Sequence, residues 1–445
     1  MKPIRVVSSM PGSGKTTWVF SHIQERSDEK WIFVSPYLKE CGGYDSAKDV
    51  THIGRIKQKL PSLDFKNPCP KHGKGSKKES FKRYITEGHN VATTHQLWTM
   101  LDAECADIIA EQGYNLVIDE SLNLVEPFEE FTSFDIELAL RAGVMISADD
   151  GRLIWDDTVF SKNQYHGAMS ELRQLCKIEA LYLYGDEIVI YQVPPKIIQS
   201  ADEIIVLTYG FAHSVMGAWC DVYNIPYYID RSVNLYKTND EIIQELRSRL
   251  NIIDIPKSLL DMDTQEQEQG REILHKTWYD ERATEEDFKT LRNCFRSIVD
   301  NSFDDGPIFW TTFKDHKNTL QGKRYTRKRR VTLQGDSEES MTFTRDPFVP
   351  KNMRASNEYR DCTNCIYSVN VRMNPWLYGY LKSRGAETLS EDIYALLEMV
   401  QFLFRGAVRN QDNDPHYPNH MNVFIASPRM LALLRGWLHG EISVE

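Results

Sequence analysis

Ser9-Met10-Pro11-Gly12-Ser13-Gly14-Lys15-Thr16 decides how this chain reads. The β-branched run Ile4–Ser8 (IRVVS) precedes it, and Thr16–Glu25 reads as a helix after it. Strand, glycine-rich turn and helix in that order form the context of a phosphate-binding loop. Glycines let backbone N–H groups turn inward around phosphates with no side chain in the way. The helix N-terminus adds the positive end of its dipole. Pro11, Gly12, Ser13, Gly14, Lys15, Thr16 and Thr17 are therefore the candidate nucleotide-binding residues. In this chemistry Lys15 faces the β- and γ-phosphates and the Thr16 hydroxyl ligates Mg²⁺. Ser9 stands where the usual pattern has its first glycine. The plain alternative is a turn with a chance lysine, and the flanking strand and helix argue against it.

Working outward, Trp31–Ser35, Asn90–Thr93, Tyr114–Ile118 and Ile204–Thr208 are short apolar runs separated by helical patterns. That alternation predicts a mostly parallel α/β sheet. The Tyr114 strand ends on Asp119-Glu120. An Asp-Glu pair is common at strand ends. Following a phosphate loop in the same sheet, it gains a role: Asp119 holds Mg²⁺ opposite Thr16, and Glu120 polarises the attacking water. Lys15, Asp119 and Glu120 are thus catalytic candidates, and Thr16 and Asp119 the metal candidates.

Length and charge bound the alternatives. The chain has 445 residues, enough for two or three domains. We expect a first lobe over 1–235 with an insertion at about 125–200, a linker region over 236–272, and a second α/β lobe over 273–445. In the second lobe, Pro307–Thr312, Cys365–Val371 and Met421–Ala426 read as strands. Hydrophobic residues make up 41% and charged residues 26%, with no apolar run long enough to span a bilayer. The opening residues run straight into a strand, and the eight cysteines are scattered, so a reducing cytoplasm is the expected location. The net charge of −11 argues against a module that coats nucleic acid nonspecifically. Contacts to phosphate backbones then come from local patches.

The motif order resembles the superfamily 2 (DEAD/DEAH-like) helicases, and more closely the helicase-like proteins of tailed bacteriophages. Ser35-Pro36-Tyr37-Leu38 and Val91-Ala92-Thr93-Thr94-His95-Gln96-Leu97 sit where that family contacts a nucleic-acid backbone. Asp119-Glu120-Ser121-Leu122 resembles its Walker B box, and Val206-Leu207-Thr208-Tyr209 occupies the place of its Ser-Ala-Thr coupling motif. Val349 to Tyr359 (VPKNMRASNEY), Gln401 to Arg409 (QFLFRGAVR) and Ile425 to Met430 (IASPRM) resemble second-lobe stretches. Two departures stand out. Tyr209 breaks the small coupling triplet, and the arginines follow Gln401 by four and eight positions rather than four and seven. The resemblance implies two RecA-like P-loop NTPase lobes (parallel sheets flanked by helices), with the nucleotide in the cleft and an insertion in the first lobe. It implies that Arg405, Arg409 and Gln401 complete the catalytic set, with Arg409 as the finger on a helix starting near Leu389. It implies nucleic-acid contacts from Ser35, Pro36, Thr93, Thr94, His95, Asn352 and Arg354.

Two basic clusters, Lys71–Lys78 and Lys323–Arg330, suit phosphate contacts, or else are solvated loops. The second contributes Lys323, Arg324, Arg327, Lys328, Arg329 and Arg330 as candidates, with Tyr325 as a candidate for base stacking. Cys362 and Cys365 read as buried thiols rather than half of a zinc site with Cys69 and His72. His95 and His213 read as local hydrogen-bonding residues, and Trp376–Tyr380 as core or lobe packing. The expected activity is that of an ATP-dependent helicase or translocase using ATP and Mg²⁺. Single-stranded or forked DNA is favoured over RNA, replication proteins are expected partners, and no membrane is involved. The alternative is an ATP-gated nucleic-acid or partner clamp that never unwinds.

Overall fold

Short β-branched and aromatic runs with apolar side chains on both faces can only be satisfied inside a sheet covered by helices on both sides. The computed structural model describes all residues except 46–49, 70–74, 132, 160–168, 186, 335–339, 352–356 and 411–415. In it these runs become two parallel sheets. The chain divides into two units. The first contains strands β1 (Ile4–Ser8), β2 (Lys30–Ser35), β3 (Val91–Thr94), β4 (Tyr114–Asp119), β5 (Ile204–Thr208) and β6 (Tyr227–Ile229). Their order is β6-β1-β5-β4-β2-β3, and every pairing is parallel. Helix α1 (Lys15–Glu25) buries Val19, Phe20 and Ile23 against Val7, Trp31 and Phe33 of the sheet.

Between β4 and β5 the chain leaves this sheet. Val125–Pro127, Leu181–Tyr184 and Ile188–Gln192 form a separate antiparallel sheet. With the helices Ser133–Arg141 and Ser170–Lys177 it encloses its own core around Met145, Leu153, Trp155, Leu172 and Leu181. A segment from far down the chain, Asn374–Leu389, also belongs to this first unit. Its helix Pro375–Ser383 places the Tyr380 hydroxyl 3.0 Å from Gln192 Oε1 and sets the Tyr380 ring edge-on to Tyr184. Leu377 and Tyr380 are buried, whereas Trp376 is exposed.

The second unit is built on β7 (Leu250–Ile253), β8 (Ile308–Thr311), β9 (Asn364–Tyr367) and β10 (Met421–Ile425), in the order β7-β10-β9-β8 and again all parallel. In its core Phe402 stacks on Phe309 and meets Tyr367 edge-on. The expected linker is corrected here. Residues 236–272 contain the helix Asn239–Arg249, the edge strand β7 and the helix Lys257–Gln267, and from Lys237 onward they belong to this unit. The charged Gln/Glu-rich sequence concealed it: it forms the exposed face of a helix that buries Leu259. Among the described residues, no helix is long and apolar enough to cross a membrane.

Candidate nucleotide site

β1 and β4 flank β5 on either side, so their carboxyl ends lie two strand spacings apart, about 10 Å. The register sets Ser8 against Thr208 and Asp119 against Leu207. The phosphate loop therefore leaves the sheet at the same edge as the Asp119-Glu120 pair. Gly12 and Gly14 have φ of +86° and +97°, a region that L-side chains rarely adopt, and a Cβ at Gly12 would meet nothing within 4 Å. Gly14 caps α1 in the left-handed conformation, so the first N–H groups of the helix are presented by the loop itself.

Lys15 is buried, and its Nζ donates to the Ser9 carbonyl. Burial lowers its pKa, while Glu120 and Asp119 pull in the opposite direction. Ser13 is buried, and its hydroxyl has no hydrogen-bond partner among the described residues. The Asp119 carboxyl is pushed up to about 7 by burial and by repulsion from Glu120, against the attraction of Lys15. A carboxylate pair crowded in this way suits a divalent cation, which favours the ionised form. Glu120 holds a left-handed backbone with φ of +63°, rare for a residue with a Cβ. Open glycine cradle, buried lysine and crowded acid pair together fit a magnesium-bound nucleoside triphosphate.

Thr208 joins the two halves of this site. Its carbonyl accepts from Ser9 N–H at 2.9 Å, and its Oγ1 lies 3.0 Å from Ser121 Oγ. One residue of β5 thus touches the phosphate loop on one side and the acid pair's strand end on the other. Tyr209, which departs from the coupling triplet, is buried beside it. His95 Nε2–H donates to the Asp119 carbonyl at 2.8 Å, tying the end of β3 to the acid pair.

The remaining sequence candidates fare unevenly. Ser35 and Thr93 are buried at 0% and 1% exposure, so neither hydroxyl reaches solvent. Pro36, Thr94 and His95 are partly exposed, and Thr94 Oγ1 caps the helix His95–Thr99. Asn352 and Arg354 lie outside the described residues, as does the 71–74 part of the first basic cluster. Lys78, from the same cluster, pairs with Asp102 at 2.6 Å. Lys323, Arg324, Arg327, Lys328, Arg329 and Arg330 are all exposed, and Arg329 and Arg330 begin the hairpin Arg329–Gln334/Ser340–Arg345. Tyr325 is buried with its hydroxyl on the Leu320 carbonyl, which removes it as a stacking platform. Cys362 and Cys365 are buried, and burial drives both thiols up.

The expected helix through Arg405 and Arg409 is corrected. The helix Glu391–Leu403 carries Gln401 in its last turn and ends before both arginines. Past the helix end the backbone is extended at Gly406, where a Cβ would come 2.5 Å from Met421 Sδ and 2.8 Å from Phe309, so the close packing there admits only glycine. Arg405 is buried with its guanidinium 4.7 Å from the Phe402 ring centroid, while Arg409 ends the short turn Ala407–Arg409 and is partly exposed. Sequence reasoning missed Arg249. It is buried and donates to the carbonyls of Val408 and Asn410, on either side of Arg409, at 3.1 and 2.9 Å. Its distance along the chain from Arg409 left no signal to find it by. It missed Asn239 too, whose Oδ1 accepts from Met10 N–H at 2.9 Å.

Fold and site together define a two-lobe α/β protein of the P-loop kind. Across 98% of the chain and 95% of the other, the fold matches the solved structure of XPD in its apo form with a TM-score of 0.51 at 12% identity. A structure of Xpd4 from S. tokodaii gives a TM-score of 0.46 at 12% identity over 99% and 94% of the two chains. In sequence, the chain is similar to the SPbeta prophage-derived uncharacterized protein YonV of Bacillus subtilis (strain 168), 26% identical over 453 residues, covering 99% of this chain and all of that one. The family described as the YonV C-terminal Rossmann-like domain matches residues 244–438.

Proposed function

We propose that this protein is an ATP-dependent nucleic-acid helicase or translocase, acting on DNA in phage replication or recombination. The observation that carries it is Thr208, hydrogen-bonded at once to the phosphate loop and to the strand end that bears Asp119 and Glu120. Such a residue can relay a change at the phosphates into the sheet. The loop N–H groups and Lys15 hold the β- and γ-phosphates, and Thr16 and Asp119 hold Mg²⁺. When bound, Mg²⁺ neutralises charge on the phosphates. Glu120 orients and deprotonates the attacking water. Arg409 is the arginine that reaches the γ-phosphate in the turnover state, with Gln401 and Arg405 supporting it. Pro36, Thr94, His95 and the 323–330 cluster contact the strand. The likeness to XPD in fold and to a prophage-derived protein in sequence supports this reading.

The test is ATP hydrolysis with and without single-stranded DNA, together with strand displacement on a forked duplex. Stimulated hydrolysis with displacement is expected. Stimulation without displacement would favour the ATP-gated clamp, and an absence of hydrolysis would overturn the reading.

A further inference from the structure

Outside the nucleotide site, the second unit holds a small, open cleft whose lining includes Arg324, Arg327, Arg329, Arg345, Tyr325 and Pro347. Four guanidiniums in one small space repel one another, and two of them are compensated. Arg324 Nε pairs with Asp300 at 2.9 Å. Arg345, 5% exposed, forms a two-pronged pair with Asp361 and donates to the Glu358 carbonyl at 2.7 Å. Among the described residues Arg327 and Arg329 have no carboxylate partner, and both are exposed. Arg329 stands directly opposite Arg345 in the hairpin register, where like charges destabilise a strand pair. A sheet that keeps this arrangement gains from an anion placed between the arginines.

We infer that this cleft receives a terminal phosphate of a nucleic-acid strand. Arg345, Tyr325 and Pro347 are buried in the cleft, and Arg324, Arg327 and Arg329 form its exposed side. Guanidinium forks match phosphate oxygens two at a time. Two uncompensated positive charges suit a group carrying close to two negative charges. A phosphomonoester has them near neutral pH, whereas an internal diester carries one. The inference rests on the nucleic-acid reading above, since it takes the phosphate to be part of a strand.

The test compares binding of single-stranded DNA of one sequence carrying a 5′-hydroxyl, a 5′-phosphate or a 3′-phosphate. Fluorescence anisotropy is measured on the full chain and on the Arg327→Gln/Arg329→Gln variant. Both positions are exposed, and an unchanged Tm confirms the fold. One phosphorylated end should bind at least about fivefold tighter than the hydroxyl end, a gain of ~1 kcal/mol, and the variant should lose that preference. Equal binding of all three strands overturns the inference and leaves the nucleic-acid reading standing. A preference that survives in the variant places the phosphate elsewhere and overturns it too. A thermal shift by inorganic phosphate that depends on Arg327 and Arg329, without any end preference, identifies a free-phosphate site and overturns the strand-end assignment. No binding of any strand overturns both readings together.

Discussion

The Tyr236 ring lies against Gly14 of the phosphate loop: a Cβ at Gly14 would come 2.5 Å from Tyr236 Cδ2 and 3.0 Å from Cε2. Tyr236 is otherwise 74% exposed, so this loop is the surface it rests on. Gly12 has a similar positive φ but open space where its Cβ would be. Alanine at either position pays ~1–2 kcal/mol for the left-handed backbone, and at Gly14 it also displaces the ring. Gly14→Ala should therefore lower Tm more than Gly12→Ala. Adding Tyr236→Ala should bring the Gly14 variant back to the Gly12 level. A Gly14→Ala variant as stable as Gly12→Ala would show that the ring contact carries no weight.

Lys15→Ala should reduce hydrolysis by about 10²-fold or more, the scale of removing one preorganised charge donor from a transition state. Glu120→Gln should keep nucleotide affinity while turnover falls by roughly 10²–10⁴. Steady-state rates and equilibrium nucleotide binding separate the two effects. Normal turnover in Lys15→Ala would remove the phosphate loop from the chemistry.

Thr208→Val keeps the side-chain shape and removes the hydroxyl next to Ser121. Losing that hydrogen bond should cost about 1 kcal/mol of stability. If Thr208 relays the phosphate state, DNA-stimulated strand displacement should fall much further than basal hydrolysis. Equal loss of both would mean that Thr208 only supports the fold.

Glu203 anchors α1 to the sheet. It pairs with Arg26, the C-cap of α1, and, at 3.2 Å, with Arg5 of β1, while His22 of α1 lies 3.8 Å away. Hydrogen bonding from His22, Arg26 and Arg5 outweighs burial and holds its carboxyl at about 2, below the ordinary 4.5. A depressed acid stabilises the fold above its unfolded pKa and loses that contribution as pH falls through its folded one. The wild type should thus lose up to roughly 3 kcal/mol between about pH 4.5 and pH 2 from this group. Glu203→Gln should be less stable at neutral pH and flatter across that window. Denaturant melts at stepped pH check it, and parallel curves for the two proteins would count against the network.

Arg409→Ala should slow hydrolysis at least about tenfold, ~1.4 kcal/mol in the barrier, with nucleotide binding and Tm preserved. Arg405→Ala should instead lower stability, on the order of 1–3 kcal/mol, because the buried guanidinium packs on Phe402. If Arg405→Ala leaves Tm unchanged and alone stops turnover, the two roles are exchanged.

Residues next to one another in sequence set the parts that could be read directly. The loop from Ser9 to Thr16 needs only its own glycines and the strand and helix on either side, so its pattern is complete in a dozen residues. The parallel α/β class was legible for the same reason, since apolar runs and helical periods are local. Strand existence in the second lobe was legible too: β8 and β10 fall within the predicted runs, and β9 overlaps its run but starts at Asn364 and ends at Tyr367. Helix ends were not: Glu391–Leu403 stops before both arginines, and just beyond it Gly406 packs tightly on Met421 and Phe309, which come from other strands.

By itself, then, the sequence determined the two-sheet α/β class and the glycine-rich turn between strand and helix at Ser9–Thr16, whose conformations are decided within a few peptide units. Only the tertiary structure decided that Tyr236 covers Gly14, that Arg249 braces the turn of Arg409, and that Asn374–Leu389 packs with the first unit. It also decided that Arg324, Arg327, Arg329 and Arg345 share one cleft. A hydrophobic pattern states that a face must be buried but not against what. Burial is non-directional and roughly proportional to area, so partners distant along the chain are selected by how surfaces fit once the sheets have formed.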